Sequence, residues 1–436
     1  MPASPSSTPA IPSTLSTTAR TTARSPRARW AAAALAAALT AGSGAALLQP
    51  GMPAQASAAA PAGASTAAPT GASAPERQTE PVAAVVQEQL QKLVDAGYPS
   101  ASAAVTGPDG TTLTLAAGTG NLVTGDAAPA DGQIRIASNT KMFVSTVVLQ
   151  LVEEGALALD EPVGTYLPGL VAGEGIDGGN ITVRQLLQHT SGLPEYADQI
   201  AADAFGAQHT YISPRDMLDI ALGKPAVFTP GARWEYSNTN YLVLGLIVER
   251  LTERPLYEEI ERRVVEPLQL ANTYLPVPGE QELRGTHPLG YHLDTAGELK
   301  DITTMDPAFA WAAGAMVSTP SELNTFMRAL LAGELVDRES LAEMQAAVPA
   351  GDELWPDAVY GLGLQGYPLS GGGTAWGHGG DIPGTQTRNA VGPDGTAVTI
   401  AVTALPWAIV DPTDETALLA RYRIVVDALD VILQAG

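Results

Sequence analysis

Apolar positions recur at helical spacing at both ends of the chain and through its middle. Over 82–96, Val85, Val86, Leu90, Leu93 and Val94 share one helical face, and Gly97 and Pro99 end the run. Two strand-like runs follow, 102–106 and 111–116, joined by Gly107-Pro108-Asp109-Gly110. Proline presets φ for such a turn and glycine closes it, so the pattern predicts a hairpin. The same tetrapeptide returns as Gly392-Pro393-Asp394-Gly395 between runs 386–391 and 397–404, a second hairpin. The closing run, 416–433, carries Leu418, Tyr422, Val425, Val426, Leu429 and Leu433 at helical spacing. Between 138 and 331 helical patterns dominate, at 140–154, 183–188, 214–222, 239–251, 256–265 and 321–331. Ser213-Pro214 and Pro320-Ser321-Glu322 are helix-start signals. The expected architecture is mixed α/β (α+β). One antiparallel sheet is built from both chain ends and flanked by the terminal helices. An all-helical subdomain is inserted at 138–331, and the cleft between the two parts is the natural place for a site.

Three short motifs carry chemistry. Ile136-Ala137-Ser138-Asn139-Thr140-Lys141-Met142 holds the single S-x-x-K of a chain whose lysines are Lys92, Lys141, Lys224 and Lys300. If Ser138 opens the helix that follows, positions i and i+3 share a face, and the Lys141 ammonium stands one turn above the hydroxyl. A serine hydroxyl needs a base to take its proton, and a partly desolvated lysine can be that base. Tyr236-Ser237-Asn238 is the only Y-x-N, in a loop before the helix at 239–251. A proton-relaying tyrosine there needs its pKa lowered by nearby cations. Asn238 offers an amide to hold a substrate carbonyl. His378-Gly379-Gly380 is the only H-x-G, on a strand-like run at 374–380. Glycines beside a strand histidine let a backbone or a ligand approach closely.

Each motif alone also reads as ordinary structure: an N-cap serine, a turn tyrosine with an Asn cap, a glycine-rich edge strand. Other patterns carry less. Gly361-Leu362-Gly363-Leu364-Gln365-Gly366 fits G-x-G-x-x-G but opens no helix, and there is no G-x-S-x-G and no H-E-x-x-H. His189 follows a helix and reads as closing a turn. No metal and no cofactor are expected.

In combination and in this order, the three motifs resemble those of the penicillin-binding and serine β-lactamase superfamily. The Tyr-x-Asn and His-x-Gly versions are similar to the class C β-lactamase branch, nearest its secreted D-alanyl-D-alanine carboxypeptidases. His189-Thr190-Ser191-Gly192-Leu193-Pro194, Tyr360-Gly361-Leu362-Gly363-Leu364 and Gly314-Ala315-Met316-Val317-Ser318-Thr319 resemble that branch too. The resemblance implies the β-lactamase/DD-peptidase fold and an acyl-enzyme on Ser138. It implies that Lys141 and Tyr236 share the serine proton, that Asn238 orients the substrate amide, and that His378 supplies hydrogen bonding and a positive field. It places the oxyanion hole at the backbone N–H groups of Ser138 and Asp381, with Gly379, Gly380 and Trp376 beside the substrate. The implied substrate is a small peptide, ester or β-lactam, most closely a D-Ala-D-Ala peptide. Esterase, β-lactamase, D-aminopeptidase and a slowly turning over penicillin-binding sensor are the alternatives. One departure matters. The close carboxypeptidases carry threonine in the middle of the third motif, where this chain has Gly379, and Asp381 adds a negative charge near the expected carboxylate position. Free-carboxylate peptides are therefore expected to be disfavoured.

Composition narrows the picture further. The 436 residues hold no cysteine, which excludes disulfides and thiolate metal sites. The net charge is −23, and no Asp or Glu precedes Glu76. This argues against nucleic acid and against an anionic membrane surface as partners; a monomer is expected. The N-terminus reads as a leader at 1–56: Arg20, Arg24, Arg27 and Arg29, then an alanine-rich apolar run, then Ala54-Gln55-Ala56 as an A-x-A cleavage pattern. Residues 57–79 are mostly Ala, Pro, Ser, Thr and Gly and read as a linker, and the folded domain is expected at 80–436. N-terminal sequencing of protein recovered from the medium should begin just after Ala56; a start at Met1 would show a retained anchor instead.

Overall fold

A computed structural model describes residues 76–201, 203–351 and 354–435. The leader and residues 57–75 of the expected linker lie outside the described residues. In chain order, the elements that position the site begin with helix α1 (Glu76–Asp95), strand β1 (Ser100–Thr106) and strand β2 (Thr112–Gly118). The helical part contributes α2 (Thr140–Glu153), α3 (Asn238–Thr252) and α4 (Pro320–Leu331). The chain then returns to the sheet with β3 (Val348–Pro349), β4 (Val359–Tyr360), β5 (Gln365–Pro368), β6 (Thr374–Ile382), β7 (Thr385–Val391) and β8 (Ala397–Val402). Helix α5 (Glu415–Leu433) closes the described chain.

Among the described residues the sheet has eight antiparallel strands in the order β2-β1-β8-β7-β6-β5-β4-β3. Both predicted hairpins are present, and β1 pairs with β8 in the register Ala101↔Val402. The first and last thirds of the chain thus make one sheet. Each face is buried by different helices, because side chains alternate along a strand. Ala103, Val105, Ile400 and Val402 pack against Leu90 and Leu93 of α1 and Val425 and Leu429 of α5. The opposite face, with Ala397 and Ala401, packs against the core of α2, α3 and α4. Asn324 of α4 fixes that contact: its Nδ2 donates to the Ala104 and Ala397 carbonyls, and its Oδ1 accepts from Thr399 Oγ1. Three two-stranded ladders lie in and around the helical part, such as Ile134–Arg135 with Val317–Ser318. Runs of two or three residues are too short for hydrophobic period to reveal.

Two local features aim the site. Ser138 lies in a 3-10 turn, Ala137–Asn139, and α2 begins only at Thr140. Ser138 therefore precedes the helix rather than capping it. Ala137, just before it, has φ +47, a conformation that costs an L-residue about 1 kcal/mol or more. The turn is tied across to β7, since Asn139 Nδ2 donates to Ile136 O at 2.7 Å and to Thr387 Oγ1 at 2.6 Å. Strand β6 is paired with β5 only through Gly377, so from His378 to Ile382 its paired neighbour is β7 alone. The open edge lies against the turn. A Cβ on Gly380 would stand 2.2 Å from Ile136 O, so only glycine permits this approach.

Gly380→Ala should therefore destabilise by about 1–3 kcal/mol through overpacking and also lower activity. Gly110→Ala, in the first hairpin turn at φ +86 with nothing within 4 Å of a new Cβ, should lower the melting temperature while leaving activity intact. Thermal melts and turnover on both variants check this contrast.

Candidate active site

Four predicted side chains meet at the start of α2 and α3. Lys141 is fully buried, and its Nζ lies 3.0 Å from Ser138 Oγ, 2.8 Å from Asn238 Oδ1 and 2.6 Å from the Ala313 carbonyl. The Tyr236 hydroxyl stands 2.8 Å from Ser138 Oγ on another side. Burial pushes the Lys141 ammonium down to about 7, against the pull of the Glu195 carboxylate. A neutral lysine has two N–H bonds and one lone pair. The two carbonyl oxygens take the hydrogens, so the lone pair points at the serine. Burial also lifts the Tyr236 phenol well above its ordinary value. The expected lowering by cations does not occur, although Nζ stands 4.8 Å from the ring centroid. Tyr236 is a neutral phenol that donates to Ser138.

Ser138 sits where two cavities meet. One, of about 90 Å³, is apolar and lined by Tyr196, Ile200, Phe309, Ile382 and Trp407 among others. The second, of about 340 Å³, is lined by Tyr236, His378, Gly379, Gly380, Arg388 and Tyr367 among others. Asn238 and Asp381 border both. A serine flanked by a base, a phenol and two unlike cavities can attack an acyl carbon and hold the two halves of its substrate apart.

Comparisons with known proteins place the chain in a family. The Beta-lactamase family model matches residues 82–421. The chain belongs to the Beta-lactamase family. Among solved structures it is similar to a D-stereospecific amidohydrolase from Streptomyces sp., at 36% identity and a TM-score of 0.69, over 74% of this chain and 94% of that one. It is also similar to the D-amino acid amidase of Ochrobactrum anthropi, at 26% identity and a TM-score of 0.70, over 81% and 98%. A Salmonella typhimurium protein named "Putative D-alanyl-D-alanine carboxypeptidase" is 30% identical over 198 residues, 42% of this chain. That match spans 45% of the Salmonella protein, under half its length.

Within this Beta-lactamase-family frame, several sequence expectations need correction. His378 lines the second cavity but supplies no positive field. Burial brings its imidazole down to about 3, and the Lys141 charge adds to the effect, so it is neutral. Asp381 does not stand alone as a repelling charge. Arg388 Nη1 lies 2.7 Å from Asp381 Oδ1 and Nη2 lies 3.3 Å from Oδ2. Burial works against the Arg388 charge, but Asp381 outweighs it and holds the guanidinium above its usual range. Arg388 is the register partner of Gly379 and leans across it toward Asp381. A Cβ at 379 would meet Arg388 Nη1 at 3.1 Å, so the missing threonine makes room for the guanidinium. Trp376 borders neither cavity. It packs against the helical-side core, with its ring over Gly366.

Three groups were not singled out by sequence reasoning. Glu195, half-buried and shifted upward by desolvation, accepts from the Asn238 backbone N–H at 2.7 Å and from Asn238 Nδ2 at 3.1 Å. It fixes the amide whose other end faces Lys141. The Ala313 carbonyl and Arg388 are the other two. A carboxylate immediately after Leu193-Pro194 was a usable signal for Glu195. Nothing local marks a carbonyl or a cross-strand arginine.

With four lysines in the chain, ¹³C-lysine NMR should resolve Lys141 as the one titrating near pH 7. Glu195→Gln removes a charge that favours the ammonium, so the midpoint should fall further. A Lys141 midpoint near 10 would contradict the burial argument.

Proposed function

We propose that this Beta-lactamase-family serine hydrolase acts on small D-amino-acid amides and esters through an acyl-enzyme on Ser138. The observation that carries the reading is the Lys141 geometry: Nζ lies within hydrogen-bond reach of two carbonyl oxygens and of Ser138 Oγ, so in the neutral amine the two hydrogens have acceptors and the lone pair is left for the serine. Likeness to a D-stereospecific amidohydrolase across 94% of that protein's length supports the substrate class. The apolar cavity suits the acyl side chain, and the polar cavity suits the leaving group.

The steps follow from the atoms present. Lys141 takes the Ser138 proton as Oγ bonds to the acyl carbon, and the carbonyl oxygen becomes an oxyanion. The N–H groups of Ser138 and Asp381 receive it, each such donor contributing roughly 3–4 kcal/mol. As the intermediate collapses, the Tyr236 phenol gives its proton to the departing amine or alcohol and is reprotonated from Lys141. Water repeats the sequence in reverse roles and frees the acid. Asn238 and Glu195 keep Lys141 aimed throughout. Export, supported by the leader pattern at 1–56, belongs to the same proposal.

A second reading, carboxypeptidase, is favoured by one observation: the Arg388 guanidinium borders the polar cavity. Turnover of D- and L-phenylalanine amide, a p-nitrophenyl ester, and a D-Ala-D-Ala peptide with its C-terminal amide separates the two. The amidase reading expects D over L and no preference for the free carboxylate. A free-carboxylate preference that disappears in Arg388→Gln would establish the second reading. Ser138→Ala should lower kcat by roughly 10⁴ and abolish covalent labelling, and undiminished labelling would end both.

A further inference from the structure

Two motifs remain without a role: the His189 turn and the Tyr360-Gly361-Leu362-Gly363-Leu364 run. The structure joins them. His189 Nδ1 lies 3.2 Å from the Ser237 backbone N and 3.0 Å from Asn240 Nδ2. His189 Nε2 lies 3.2 Å from the Tyr360 hydroxyl. That hydroxyl lies 2.9 Å from His378 Nε2, and His378 Nδ1 lies 2.5 Å from the Gly379 carbonyl. All three side chains are buried.

The directions of these bonds are forced from both ends. A backbone N–H can only donate, so His189 Nδ1 is bare and, in a neutral ring, Nε2 carries the proton. A backbone carbonyl can only accept, so His378 Nδ1 carries the proton and Nε2 is bare. Tyr360 fits the gap, accepting from His189 and donating to His378. Burial keeps both rings neutral. The neighbouring Tyr241 hydroxyl also contacts Tyr360, but it donates to the Leu187 carbonyl and can accept from Ser145, which leaves the Tyr360 proton for His378.

We propose that Tyr360 is a positioning residue: it holds His189 and His378 in opposite tautomers and so restrains the Gly379–Gly380 peptide at the open edge of β6. The bridge runs from Ser237, between Tyr236 and Asn238, to Gly379, and it crosses the cleft between the second and third motifs. The need is physical. Two successive glycines leave the peptide plane freer to tilt than bulkier residues would, since β7 pairs it on one side only. The next N–H along the strand is that of Asp381, which must point at the oxyanion. A donor fixed on the Gly379 carbonyl removes that freedom.

The activity arm of the test rests on the acyl-enzyme reading; the spectroscopic arm does not. Long-range ¹H–¹⁵N spectra of histidine-labelled wild type, assigned with single His→Asn variants, should show a bare Nδ1 in His189 and a bare Nε2 in His378. The same tautomer in both rings, or a charged ring at neutral pH, overturns the proposal whether or not any variant folds. Tyr360→Phe keeps the ring and removes both bonds. His378 should then lose its single tautomer, with kcat down by about tenfold or more and KM little changed. Scrambled tautomers with unchanged kcat would also overturn it. Absence of Ser138 labelling in the wild type would instead defeat the acyl-enzyme reading and leave the tautomer result standing.

Discussion

A lysine ammonium buried without a contacting carboxylate is the constraint on which the site depends. Taking an ammonium out of water costs several kcal/mol, and burial meets this by bringing Lys141 down to about 7, where it sheds its proton readily. Its immediate partners are a hydroxyl and two carbonyl oxygens. Glu195 is one residue further out, bound to Asn238 rather than to Lys141. A carboxylate in direct contact would hold the proton on the lysine and remove the base.

The surrounding charges obey the same constraint. Both imidazoles near Lys141 are neutral, and the one guanidinium named at the cavity is matched by Asp381. Beside the serine the charges are thus matched, while Asp198, Lys224 and Glu235 line the rest of the polar cavity, on a chain whose total charge is strongly negative. Acidity of the whole molecule and electrostatics of the site are separate matters here. The surface controls solubility, and the buried hydrogen-bond pattern controls proton position.

Much of this was legible from residues alone, and the exceptions share a cause. The two hairpins and both terminal helices follow from local period and turn chemistry, and the element bounds differ by a few residues. Ser138, Lys141, Tyr236 and Asn238 were legible as motifs. What failed were statements about environment. The field expected from His378 and the lowered phenol at Tyr236 both assumed solvation that burial removes. The repulsion assigned to Asp381 assumed no partner, and its partner sits seven positions on in sequence and across a strand pair. Trp376 shares a sheet face with His378 but stands two residues back along the strand, where it packs on Gly366 and the helical-side core instead of the cleft.

The pairing of β1 with β8 has a consequence for how the molecule comes into being. Ala101 meets Val402, so about three hundred residues separate the partners, and such contacts close late because the intervening chain must first be collected. Ser138 is made early and the strand at 378–382 late, yet the turn and the strand edge must touch before the hydroxyl meets the Asp381 N–H proposed to share its oxyanion hole. A chain emerging N-terminus first therefore carries Ser138 without its strand-edge neighbours until residues 378–382 have been made and paired. Assembly of the sheet acts as the timer for the chemistry.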